Sequence, residues 1–141
     1  MFFTIFLIFF NFFFFFYSIT TISAYLFDGE LRKIYKRIKV KNDISKLSNH
    51  VIICGYGRNG KQAANELESH KIPYVIIENK ETTTKELIEA SILVIHGDAT
   101  EDENLVSANI DTARALISCL PTDADNVFVV LTARRMNSSL Q

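Results

Sequence analysis

The sequence predicts an α/β protein, a doubly wound parallel sheet of about four strands, truncated, preceded by one transmembrane helix. Three observations lead there. The first 27 residues carry no charge, and 21 of them are apolar. From His50 onward, short apolar runs alternate with amphipathic stretches as far as Met136. The first of those runs ends in a glycine-rich turn, Gly55-Tyr56-Gly57-Arg58-Asn59-Gly60. Strands and helices in alternation imply a parallel sheet covered by helices, joined by right-handed crossovers. A chain of 141 residues has room for about one domain of ordinary size. That excludes a two-domain enzyme with separate cofactor and substrate halves.

Residues 1–27 hold eleven of the twelve phenylalanines. About 20 apolar residues at ~1.5 Å each cross the hydrocarbon of a bilayer, so this run is long enough to span it with some tilt. Its polar members, Thr4, Asn11, Ser18, Thr20, Thr21 and Ser23, are all uncharged. Thr and Ser return their hydroxyls to the helix's own carbonyls and cost little in lipid. Asn11 costs more and would prefer a partner helix or water. A cleaved signal peptide is the rival reading, but there is no basic leader and the apolar run is too long.

Residues 28–48 form a basic helical linker. Across 28–50 there are seven basic and three acidic side chains. Arg32, Lys33, Lys36, Arg37, Lys39 and Lys41 crowd the end of the apolar helix, and basic flanks of this kind stay in the cytoplasm. The soluble part is therefore expected there, which suits two cysteines without a disulfide framework. Leu31, Ile34, Tyr35 and Ile38 recur at helical spacing, so the linker is expected to be an amphipathic helix able to transmit force.

Residues 49–141 hold the domain. His50–Cys54 reads as a buried parallel strand, Asn59–His70 as an amphipathic helix and Tyr74–Glu78 as the second strand. Thr82–Ala90 is the second helix, with Thr82, Thr83 or Thr84 as candidate N-caps. Ile92–Ile95 is the third strand, Glu103–Ala108 a short helix and Ala113–Leu120 the fourth strand. A turn at Pro121 leads into a last helix, Asp123–Met136. The expected strand order is 3-2-1-4, which places Cys54 and Cys119 at neighbouring strand ends. Both read as small buried hydrophobes. The net charge of −1 gives no reason to expect a nucleic-acid partner. The three histidines show no metal-ligand spacing.

The glycine-rich turn carries the chemistry. It ends a strand, opens a helix, and is followed by an acid, Glu78, at the end of the next strand: a Rossmann-like dinucleotide fingerprint. Gly55 permits the turn, Gly57 lets the backbone approach a pyrophosphate, and Gly60 lets the helix pack on the sheet. Tyr56, Arg58 and Asn59 complete the loop, whose free N–H groups receive phosphate charge, with Arg58 a phosphate contact or a solvated charge. Glu78 can accept from ribose hydroxyls and would repel a 2′-phosphate, favouring NAD(H) or an adenosine nucleotide over NADP. Asp98 and Ala99, after the third strand, fall where an adenine would rest; Asp98 or Thr100 could equally cap the next helix. No general acid–base pair and no second domain accompany this site, so the chain reads as a nucleotide sensor rather than an enzyme.

These residues, together with Gly97-Asp98-Ala99-Thr100, Pro121-Thr-Asp-Ala-Asp-Asn-Val127 and Leu131-Thr-Ala-Arg134, resemble the RCK domain (regulator of K⁺ conductance, TrkA-N type) of prokaryotic potassium channels. The upstream helix and Gly29-Glu-Leu-Arg32 are similar to the inner pore helix and linker of such channels. The resemblance implies a cytoplasmic domain binding NAD(H) or ATP/ADP and regulating K⁺ flux, in a homo-tetramer with a ring of such domains at the cell membrane. For the nucleotide it implies Gly55, Gly57, Gly60, Arg58, Glu78, Asp98 and Ala99. There are departures. The sequence has no TVGYG-like filter and no glycine before Gly29, and it stops after the fourth helix of the domain, so the chain is expected to be a fragment. The alternatives are a membrane-anchored NAD-binding regulatory subunit of a separate K⁺ transporter, and a fragment of an NAD-dependent oxidoreductase.

Overall fold

The computed structural model describes residues 1–27 and 30–141, with the side chains of all of these except 25–27, 30–34 and 37. Four strands, β1 (Val51–Cys54), β2 (Tyr74–Glu78), β3 (Val94–His96) and β4 (Ala115–Ser118), run parallel in the order β3-β2-β1-β4. The expected order is found. Six helices accompany them: α1 (Phe2–Phe27), α2 (Glu30–Ile44), α3 (Arg58–Ser69), α4 (Glu81–Glu89), α5 (Asp102–Ser107) and α6 (Asp123–Met136). The chain divides into two compact units, residues 1–36 and residues 37–141.

β1 is the inner strand, and all four of its residues are buried. Helices cover both faces of the sheet, which is why the run is apolar throughout rather than alternating. Successive side chains point to opposite faces. Ile52, Cys54, Val75 and Ile77 join Leu105, Val129 and Ala133 on one side. Ile53 and Ile76 join Ala64, Leu87 and Val94 on the other. The register sets Cys54 level with Ile77 and with Ser118, so the strands end together and their exit loops form one rim.

Several boundaries differ from the sequence reading. Helix α3 begins at Arg58, inside the glycine-rich turn, and β3 begins at Val94. None of Thr82, Thr83 and Thr84 caps α4: the N-cap is Lys80, and the Thr84 hydroxyl donates back to Lys80 O at 3.0 Å. Thr84 is buried, and a carbonyl one turn back is the acceptor within its reach. Neither Asp98 nor Thr100 caps α5, whose N-cap is Glu101.

The linker is helical, as expected, but its described apolar residues divide differently. Tyr35 and Ile38 are exposed, whereas Val40, Ile44 and Leu47 pack against the core of the second unit. The latter three recur at offsets 0, 4 and 7, so they share a helical face that the first reading passed over. Leu31, Ile34, Arg32, Lys33 and Arg37, and the segment around Gly29, lie outside the described residues. Leu47 O is held by Asn109 Nδ2 at 2.7 Å and Thr112 Oγ1 at 3.0 Å.

The last residues run along the outer edge of β4. Gln141 N donates to Arg114 O and Leu116 N to Gln141 O, both at 3.0 Å, in the pattern of a parallel pair. Asn137 pins this segment: its buried Nδ2 donates to Ile110 O at 2.9 Å and Ala113 O at 3.1 Å, and its Oδ1 accepts from Ser139 N at 3.1 Å. Asn137→Ala leaves two buried carbonyls without their donor. It is expected to cost about 2–3 kcal/mol in urea unfolding, the scale of orphaned buried polar groups.

Candidate functional site

The exit loops of β1, β2, β3 and β4 enclose a cleft of about 380 Å³. Its position follows from the topology. The crossovers from β1 and from β3 diverge at this edge, and the space they leave is where α/β sheets take ligands.

The glycines of the turn have three distinct tasks. Gly55 sits at φ +90°, and a Cβ there would lie 2.7 Å from Cys119 O, so the turn and the neighbouring loop both demand glycine. Gly60 is buried, and a methyl group on it would overlap the Gly55 carbonyl oxygen. Gly57 is different: it has an ordinary φ of −75°, and a Cβ would meet nothing within 4 Å. Nothing in the fold requires glycine at this point, which opens on the cleft.

Glu78, at the end of β2, accepts from Tyr56 N at 2.7 Å through Oε2 and from Lys80 N at 2.8 Å through Oε1. The carboxylate is thus tied to the glycine-rich turn itself. Each oxygen keeps a lone pair for a further donor. Asp98 lies across the cleft, its Oδ1 accepting from Thr100 N at 2.9 Å and from Thr100 Oγ1 at 2.7 Å. The backbone bond foremost, with the hydroxyl bond, holds the Asp98 carboxyl below its usual range, so it is ionised at neutral pH. Asn104 Nδ2 donates to Asp98 O at 2.7 Å and fixes the same loop, and its amide fills the space a Cβ on Gly97 would need.

Gly55, Tyr56, Gly57, Glu78, Asp98 and Ala99 come together on the lining, as the sequence proposed. Arg58 and Asn59 do not line the cleft; both are exposed on the first turn of α3. Gly60 lies beneath the turn.

Sequence reasoning passed over Lys80 and Thr83, and over the far wall, Cys119, Leu120 and Pro121. Applying the strand-end rule to β4 as well as to the first three strands finds that wall. It also passed over Asn126, which builds the wall: Oδ1 accepts from Leu120 N at 2.8 Å and Ser118 Oγ at 2.7 Å, and Nδ2 donates to Leu120 O at 3.0 Å. A lone Asn in a first helical turn carries no signal that separates it from a solvated one.

Burial pushes the Cys54 thiol up to about 12, and burial also raises Cys119. Neither is poised as a thiolate. Among the described residues no cluster of His, Cys, Asp and Glu could hold a metal ion. The site is thus built for binding: backbone donors and two carboxylates surround a space of ligand size.

The profile of the TrkA-N domain matches residues 51–141. Potassium channel protein 1 of Methanocaldococcus jannaschii is 41% identical over 121 residues, 84% of this chain and 36% of that relative. The chain therefore spans little more than a third of that relative's length. The structure of the TrkA-N domain of the inner membrane protein ybaL from Escherichia coli superposes with a TM-score of 0.66 at 30% identity, covering 68% of this chain and 71% of that one. A GsuK channel solved bound to NAD shares the fold, with a TM-score of 0.60 at 24% identity over 67% of this chain and 18% of its own. These potassium channels are not enzymes.

Proposed function

The chain belongs to the TrkA-N domain family, and on that premise we propose that its cleft binds an adenine nucleotide, NAD(H) or ATP/ADP, and that occupancy regulates K⁺ flux. The observation that carries this reading is the pair Gly57 and Glu78. One opens the backbone at the turn where the fold itself needs no glycine, and the other is an acid already held against that turn. A phosphate group would meet the free N–H groups and positive end of α3, and ribose hydroxyls would donate to Glu78. Asp98 and Ala99 would face the base. No proton transfer or covalent step is needed, since the ligand acts by being bound.

In this reading the apolar helix α1 is the membrane span. The basic linker keeps residues 37–141 on the cytoplasmic side, and tetrameric assembly joins such domains in a ring beneath a pore supplied by the whole channel. Ligand binding would shift the domain, and the packing of Val40, Ile44 and Leu47 would carry that shift into the linker.

The test is titration calorimetry of NADH and ADP on the full chain in detergent. Gly57→Ala is expected to weaken affinity at least tenfold by placing a methyl group where the phosphate approaches, while the unfolding midpoint stays at the wild-type value. Unchanged affinity in that variant, or no heat with either nucleotide on the wild type, would overturn the proposal.

A further inference from the structure

Helix α1 carries six uncharged polar residues among apolar ones, and three of them, Thr4, Asn11 and Ser18, are spaced by seven. Positions seven apart drift by only about 20° on a straight helix and are ~10 Å apart along it. The three therefore form one polar line along a helix that is otherwise mostly phenylalanine and isoleucine on its remaining faces.

Their hydrogen bonding sets them apart from the polar residues off the line. Thr20 Oγ1 donates to Tyr17 O at 2.9 Å, and Thr21 Oγ1 to Tyr17 O at 2.8 Å, so both hydroxyls are satisfied within the helix. Among the described residues Thr4 and Ser18 make no side-chain hydrogen bond. Asn11 spends one N–H on Leu7 O at 2.9 Å, leaving its second N–H and its Oδ1 unused. Unspent polar groups sit on the seven-residue line and spent ones off it.

We propose that α1 associates with a second copy of itself along the line Thr4–Asn11–Ser18, with the Asn11 amides paired at its centre. The proposal rests on the reading of α1 as a membrane span. In a bilayer no water satisfies the leftover amide, so it must find a protein partner. All copies of this chain enter the membrane with the same end first, so neighbouring α1 helices are parallel. In parallel helices in register, each position on the line faces its own copy. Carboxamides suit that arrangement, because each supplies both a donor and an acceptor to an identical group. A seven-residue repeat is also the period that keeps one seam closed along two left-handed supercoiled helices, and a single Asn on such a seam fixes its register. The bulky rings at Phe9 and Phe13, on the opposite side, then face lipid.

The experiment uses the full chain in membranes, with Cys54→Ala and Cys119→Ala removing the native thiols. Single cysteines are introduced as Thr4→Cys, Asn11→Cys and Ser18→Cys on the line, and as Phe9→Cys, Phe13→Cys and Thr20→Cys opposite it. Copper-phenanthroline oxidation is expected to give disulfide dimers at the first three positions and few at the others. A second measurement keeps the native thiols: Asn11→Leu is expected to weaken self-association in mild detergent about tenfold, and Phe13→Leu to leave it unchanged. Cross-linking that peaks on the Phe9–Phe13 side, or that is uniform, overturns the seam and leaves the membrane span standing. Line positions that fail to cross-link yet react with a membrane-impermeant thiol reagent make the line a water-facing wall, which also overturns the seam. Release of the chain by alkaline carbonate overturns the span and the seam together. Nucleotide titration of the same protein reads the cleft independently of each of these outcomes.

Discussion

Gly60→Ala is expected to unfold the domain, or to lower its stability by about 3 kcal/mol or more. Helix propensity argues the other way, since alanine inside a helix is worth ~1 kcal/mol over glycine. The local geometry decides the sign. The new methyl group would overlap the carbonyl oxygen of Gly55 and come close to Ile53 Cγ2, 3.6 Å from the Cβ position. The obstacle is backbone, not the end of a flexible side chain. Gly55 cannot retreat, because its own N–H donates to Ile77 O at 2.9 Å and its φ of +90° holds the turn against Cys119. Relief requires α3 to move off the sheet and uncover Ile53 and Ala64, both buried. A domain stable by ~5–15 kcal/mol has little margin for such a loss. The measurement is the urea midpoint of the full chain, with Gly57→Ala alongside. A Gly60→Ala midpoint equal to that of Gly57→Ala would show that the helix is free to shift, and the close-packing argument would fail.

The same three glycines show how far the sequence could be read. Their spacing after an apolar run, with an acid closing the next run, was enough to place the turn, the strand order and half of the cleft. These follow from local rules: burial on both faces makes a strand apolar, and a strand that turns into a helix within six residues needs glycine. What stayed hidden depends on contacts between distant segments. The pairing of Glu78 with the Tyr56 amide joins residues 22 apart, and neither residue type announces it. Asn126 supports the β4 wall through a loop whose path only the fold defines. The linker was misjudged for a related reason. Leu31, Ile34, Tyr35 and Ile38 make a tidy apolar stripe, but Val40, Ile44 and Leu47 make another, and periodicity alone does not say which one meets a core. Arg58 looked like a phosphate contact because it stands inside the motif. The first turn of α3 instead points it to solvent, away from the cleft.

Glu78→Ala is expected to weaken NADH and ADP binding about a hundredfold, through two losses with one origin. A carboxylate bonded to ribose hydroxyls contributes ~1.5–3 kcal/mol, and each ~1.4 kcal/mol is tenfold in affinity. The same carboxylate orients the glycine-rich turn by accepting from Tyr56 N at 2.7 Å, and its removal frees the turn that must receive the phosphate. Glu78→Gln separates the two. Its amide oxygen can accept from Tyr56 or from Lys80, but its NH₂ then faces the other backbone N–H, donor against donor. It also loses the negative charge that would repel a 2′-phosphate. Calorimetry with NADH and NADPH should therefore show three levels. The wild type prefers NADH strongly, Glu78→Gln binds NADH more weakly and narrows the preference at least tenfold, and Glu78→Ala binds both poorly. If Glu78→Gln left the NADH-to-NADPH ratio at the wild-type value, the acid would be holding the turn without reading the ribose. The ligand would then have to be sought among phosphorylated molecules that lack an adenosine 2′-hydroxyl at that point, with Gly57 still marking where the phosphate enters.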